Sequence, residues 1–132
     1  MAEFIRLGYN VSAPYGDCEH YDFIADVDGR LIRVQCKTPT QYSDETRIEL
    51  DVRKKKYQYR GVRGSLVYSN DDLDYFATYY KGQAYLIPVG DCYSKKRLRL
   101  VPSKNGHDER YSFAEWYEME RVIKNILEEA NK

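Results

Sequence analysis

The chain has 132 residues, 42% hydrophobic and 32% charged, and its 21 basic residues balance 21 acidic ones. That length fits one domain over residues 1–132, and that composition excludes a disordered chain. No stretch reaches the ~20 apolar residues of a membrane span, and Cys18, Cys36 and Cys92, without Cys-x-x-Cys spacing, argue against a disulfide framework or a structural zinc site.

Met1-Ala2-Glu3-Phe4 lacks the charged-then-apolar layout of a secretory signal, so the expected location is cytoplasmic. Residues 2–7 read as the end of a helix closed by Gly8. Tyr9 to Ala13 reads as a strand stopped at Pro14, and Tyr15 to Glu19 as a loop. Tyr21 to Val27 and Arg30 to Lys37 are strand-like runs flanking Asp28-Gly29. Both turn positions tolerate positive φ, which predicts a two-residue hairpin.

Arg47 to Val52 alternates and predicts a strand. Arg53, Lys54, Lys55, Lys56, Arg60 and Arg63 then concentrate positive charge around Tyr57 and Tyr59. Such a segment is either a phosphate grip or a solvated surface. Leu66-Val67-Tyr68 predicts a short strand and Ser69 to Asp72 a turn. Asp74 to Tyr79 and Ala84 to Val89 predict a second hairpin across Lys81-Gly82, and Leu98 to Val101 a last strand. Ser112-Phe-Ala-Glu115 has the form of a capping box. Trp116, Met119, Ile123, Ile126 and Ala130 follow at helical spacing and predict a C-terminal helix. That stripe is core packing or an oligomer interface.

The first hairpin concentrates chemistry. A two-residue turn pairs Val27 with Arg30 and sets Asp22 opposite Gln35. Arg33, Gln35 and Lys37 then share a face with Asp22, Ile24 and Asp26. Tyr21, Phe23, Ala25, Val27, Ile32, Val34 and Cys36 form the other, packed face. Asp22, Gln35 and Lys37 would lie within about 5–8 Å of one another at Cβ. A carboxylate, a carboxamide oxygen and the Cys36 carbonyl suit a hard divalent cation, and Lys37 would stand beside its bound water. A solvated polar face with an ordinary Asp–Lys pair is the alternative.

Pro14-Tyr-Gly-Asp17 with Tyr21-Asp22, then Gly29 to Thr38, resembles the PD-(D/E)xK endonucleases associated with group I introns. Leu73 to Ala77, Ala84 to Val89 and Leu98-Arg-Leu100 extend the resemblance over about residues 3 to 118. It implies an α/β, restriction-endonuclease-like core, a mixed sheet flanked by helices. It also implies hydrolysis of DNA phosphodiesters with Mg²⁺ or Mn²⁺. On the family's pattern Asp22 is the metal-binding aspartate, Gln35 fills the second acidic position and Lys37 is the catalytic lysine. Arg33 and the residues from Arg53 to Arg63 would contact double-stranded DNA. The family's glutamate on its first helix would fall ahead of Met1, because Gly8-Tyr9 matches the step that follows that helix. Glu3 stands too close to Gly8 to substitute, so either the chain has a shortened start or it has lost a ligand, for which Asp17 or Glu19 on the loop entering the hairpin could compensate. A homing-type endonuclease is the leading reading. A Holliday-junction resolvase or repair nuclease, or an inactive DNA-binding module, are the alternatives. Concerted cutting of both strands implies a homo-oligomer, a dimer or tetramer.

Overall fold

The structure, a computed structural model, describes residues 1–16, 19–43, 45–53, 67–101 and 112–130. Helix α1 (Ala2–Arg6) leads into β1 (Asn10–Ser12). The first hairpin is β2 (Phe23–Val27) and β3 (Arg30–Cys36). β4 (Thr40–Gln41) and β5 (Arg47–Asp51) follow. β6 (Tyr75–Tyr80) and β7 (Gln83–Pro88) form the second hairpin, and β8 spans Lys95–Arg99. A 3-10 turn (Ala114–Tyr117) precedes α2 (Met119–Ala130).

Both hairpins turn as their sequences require. Asp28 and Gly29 take φ of 50° and 94°, Lys81 and Gly82 φ of 45° and 83°, the mirror-image turn that matches strand twist. The expected register holds, with Val27 opposite Arg30 and Phe23 opposite Val34. The main sheet runs β1-β2-β3-β6-β7 and is mixed, because β3 and β6 are parallel while the other neighbours are antiparallel. A second, antiparallel sheet runs β4-β5-β8.

Alternation splits the core into two layers. Phe23, Ala25, Val27, Ile32, Val34, Ala77 and Leu86 face the helices, meeting Phe4 of α1 and Met119, Val122, Ile123 and Ile126 of α2. Each fully buried side chain of this kind stabilises the fold by about 1.5–3 kcal/mol. Phe76, Tyr85 and Ile87 face the other way, onto Ile48, Leu50 and Leu98 of the small sheet. Both helices that touch the main sheet's core therefore lie on one face, and a sheet covers the other.

Several elements differ from their expected bounds. The β2 strand begins at Phe23, and Tyr21 packs against the second layer instead of beside Phe23. Cys36, at the strand end, is exposed rather than packed. The last strand begins at Lys95, because β8 pairs residue by residue with β5 from Asp51↔Lys95 to Arg47↔Arg99. Val67 lies in an isolated bridge to Arg53 rather than in a strand, and Leu66 lies outside the described residues.

The C-terminal helix also starts later than its capping-box signature. The 3-10 turn starts after Phe113 with no side-chain cap, and the Ser112 hydroxyl instead accepts from Lys96 Nζ at 3.0 Å. Glu118 is extended (φ −56°, ψ 134°) and bridges Tyr85, which breaks the helical run before Met119. Trp116 and Ala130 consequently leave the buried stripe, with Trp116 44% exposed, while Met119, Ile123 and Ile126 stay in it.

Candidate active site

Asp22 stands immediately before β2. Its N–H donates to the Val34 carbonyl at 2.8 Å, and its Oδ2 accepts the Cys36 N–H at 2.7 Å. The Lys37 N–H points to the opposite edge of β3, donating to the Ala77 carbonyl at 2.8 Å. Main-chain groups of successive residues face opposite edges of a strand, and the N–H and C=O of one residue face the same edge. The Cys36 carbonyl is thus directed to the edge where the Asp22 carboxylate lies.

Gln35 sits beside Phe76 in the parallel register, on the face of the second core layer. There it meets Tyr68, which is 9% exposed. Gln35 Nε2 donates a long hydrogen bond of 3.4 Å to Tyr68 Oη, and Lys37 Nζ stands 5.8 Å from the centre of the same ring. Gln35 and Lys37 therefore share a face through one common neighbour, and Asp22 is fastened to the residue between them.

Gln35 Oε1 is buried and has no hydrogen-bond partner among the described residues. Leaving a buried acceptor unpaired costs about 1–3 kcal/mol. Hard divalent cations take such neutral oxygens together with carboxylates and main-chain carbonyls. The carboxylate of Asp22, the carboxamide of Gln35 and the main-chain carbonyl of Cys36 are all oxygen donors, the kind that hard divalent cations take. Among the described residues no group of three or more His, Cys, Asp or Glu side chains gathers as an all-side-chain metal site. The fit therefore rests on one charged ligand supplemented by neutral oxygens. Glu19 is exposed, and Asp17 lies outside the described residues.

A description of PD-(D/E)XK endonucleases as a family matches residues 1–120. The chain belongs to the PD-(D/E)XK endonuclease family. Among solved structures it resembles a bacterial homing endonuclease, I-Ssp6803I, at 22% identity and a TM-score of 0.63. That likeness covers 97% of this chain and 83% of the other. No curated protein matches the sequence.

The PD-(D/E)XK core carries residues around Asp22, Gln35 and Lys37 that were not singled out in the sequence. Tyr68 is one of 14 tyrosines, and nothing local distinguishes it. His20 lies edge-on to Tyr68 with ring centres 5.8 Å apart, and its Nε2 is 3.6 Å from Asp72 Oδ1. Asp72 also caps the turn, accepting from the Ser69 N–H at 3.0 Å.

Arg33 spends its donors inside the protein. Asp74 Oδ2 accepts from its main-chain N–H at 2.8 Å and from its Nε at 3.2 Å. Its other guanidinium nitrogens donate to the carbonyls of Asp71 and Asn70. The hydrogen bonds to Asp74 raise the Arg33 pKa further, so the group is a fixed charge. The guanidinium that sequence alone aims at a phosphate thus clamps the turn carrying Tyr68 into β6.

Arg53 is exposed and forks onto the Asp51 carboxylate at 3.0 and 2.7 Å, lowering that acid's pKa to about 2. Lys54, Lys55, Lys56, Tyr57, Arg60 and Arg63 lie outside the described residues. The chain leaves and re-enters the described structure at Arg53 and Val67, which bridge each other. Tyr68, the next residue, touches the site.

Proposed function

We propose that this chain is a divalent-metal-dependent DNA endonuclease of the homing type, hydrolysing phosphodiester bonds at the Asp22–Gln35–Lys37 site. The observation that carries the reading is the buried, unpartnered Oε1 of Gln35, one residue before Cys36, whose N–H the Asp22 carboxylate accepts. Asp22, Gln35 and the Cys36 carbonyl would hold Mg²⁺ or Mn²⁺. When bound, the cation supplies Lewis acidity toward a phosphate oxygen and lowers the pKa of a water. Asp22 contributes the negative charge that retains it, with Oδ2 fixed by the Cys36 N–H so that Oδ1 can turn toward a cation. Lys37 brings a positive charge to the same place, where it orients the attacking water or offsets charge building on the phosphate. Residues 53–63 supply the backbone grip, starting at the Arg53 end of a segment whose other end adjoins the site. A two-fold homo-oligomer would place one such site on each strand of the duplex.

The test is cleavage of supercoiled plasmid in Mg²⁺ or Mn²⁺ by the wild type, Asp22→Ala and Lys37→Ala. Nicking by the wild type that both substitutions abolish supports the proposal. A folded wild-type protein that nicks nothing with either metal overturns it in favour of an inactive DNA-binding module. Cleavage confined to four-way junctions moves the assignment to a resolvase.

A further inference from the structure

The Tyr68 side chain touches both Gln35 and Lys37. Its ring is held edge-on against Phe76 at 5.5 Å and against His20 at 5.8 Å. The chain before it is tied by the Val67–Arg53 bridge, and the turn after it by the Arg33–Asp74 clamp. A phenol fixed from both sides is a rigid reference for neighbours that are not rigid themselves. The terminal torsion of a glutamine amide is soft, and its two ends differ in chemistry. Only the oxygen can bind a cation; the NH₂ end repels it. Donation from Nε2 to Tyr68 Oη occupies the wrong end and leaves Oε1 as the one without a partner. Lys37 carries its charge on a flexible four-carbon stem, and the face of an aromatic ring attracts such a cation.

We propose that Tyr68 is a positioning residue of this site. Its hydroxyl selects the Gln35 amide orientation that presents Oε1 to a divalent cation, and its ring face steadies Lys37. This rests on the endonuclease reading for its purpose, but the Gln35 half can be measured without any DNA.

The measurement is Mn²⁺ binding to the full chain by calorimetry, with melting of the metal-free protein as a control for folding. Tyr68→Phe keeps the ring and removes the hydroxyl. It should weaken Mn²⁺ binding about 10-fold, the usual scale for losing a group that orients a ligand. In a Gln35→Glu background both ends of the side chain are oxygens, so the same Tyr68→Phe change should cost less than about twofold. Tyr68→Leu should lose the same binding and in addition lower kcat on plasmid below that of Tyr68→Phe, because Lys37 loses its ring. Should Tyr68→Leu fail to fold, Tyr68→Phe decides alone. Wild-type affinity in Tyr68→Phe overturns the inference, as does an equal loss in the Gln35→Glu background or no Mn²⁺ binding by the wild type. A wild type that binds Mn²⁺ with this coupling yet cuts no DNA sinks the endonuclease reading and leaves the role of Tyr68 toward Gln35 standing.

Discussion

Glu49 and Gln35 both lie on strands next to the second core layer, and their surroundings treat them in opposite ways. Glu49 is fully served. Its Oε2 accepts from Arg97 Nε at 2.8 Å and from the Tyr42 hydroxyl at 2.7 Å, and Lys95 Nζ stands 3.6 Å from Oε1. Arg97 is its cross-strand partner in the β5–β8 register. These contacts, the Arg97 hydrogen bond first and Tyr42 second, hold the Glu49 pKa below its usual value. Gln35 has one long hydrogen bond at Nε2 and none at Oε1. The small sheet thus closes Glu49 on its own neighbours, as a structural acid is closed. The end of the first hairpin leaves an oxygen open, which costs stability and creates binding capacity.

The largest expected effect tests whether that open corner is chemical. Asn at position 22 can still accept the Cys36 N–H but carries no charge. Asp22→Asn should therefore melt within a few degrees of the wild type and cut plasmid about 10²–10³-fold more slowly. A parallel collapse of stability would place Asp22 with Glu49 as a structural acid. Next is Arg33→Ala, which removes donors from Asp74 and from two main-chain carbonyls. Chemical denaturation should register a loss of about 2 kcal/mol. DNA affinity that falls while stability holds would show a phosphate contact instead of a clamp.

A smaller effect has the opposite sign. Gln35→Met keeps the approximate volume and removes the unpaired oxygen. The metal-free protein should hold its stability or gain up to about 1 kcal/mol while plasmid cleavage is lost. A clear destabilisation would mean that the amide has a structural partner after all. The smallest effect concerns pH. A depressed carboxyl pKa contributes stability above the unfolded value, 4.5 for Glu49, and that contribution fades as pH falls through the lower folded value. The wild type should thus melt about 1–3 °C above Glu49→Gln at pH 7, with the gap closing as the pH drops below 4.5. A gap that stays constant down to pH 2 would show that the Glu49 charge adds nothing.

Much of this was legible in the chain because short-range rules govern it. Asp28-Gly29 and Lys81-Gly82 each force a two-residue reversal, and each reversal fixes its register. Alternation then separates Phe23, Ala25, Val27, Ile32 and Val34 from Gln35 and Lys37. The start of α2 was not legible, because the local cap signal at Ser112 lost to two long-range contacts. Lys96 took the serine hydroxyl, and Tyr85 drew Glu118 into an extended bridge. The fate of Arg33 was hidden for the same reason: its partners lie 37 to 41 residues away.

The sequence by itself determined the two hairpins and the helix-facing core layer, since turn chemistry and two-residue periodicity act between near neighbours. Only the tertiary structure decided that Tyr68 joins Gln35 to Lys37, that Arg33 turns inward, and that a second sheet backs the site. Those contacts exist because the parallel pairing of β3 with β6 brings residues 68–76 alongside residues 33–37. No local pattern encodes a pairing between strands so far apart in the chain.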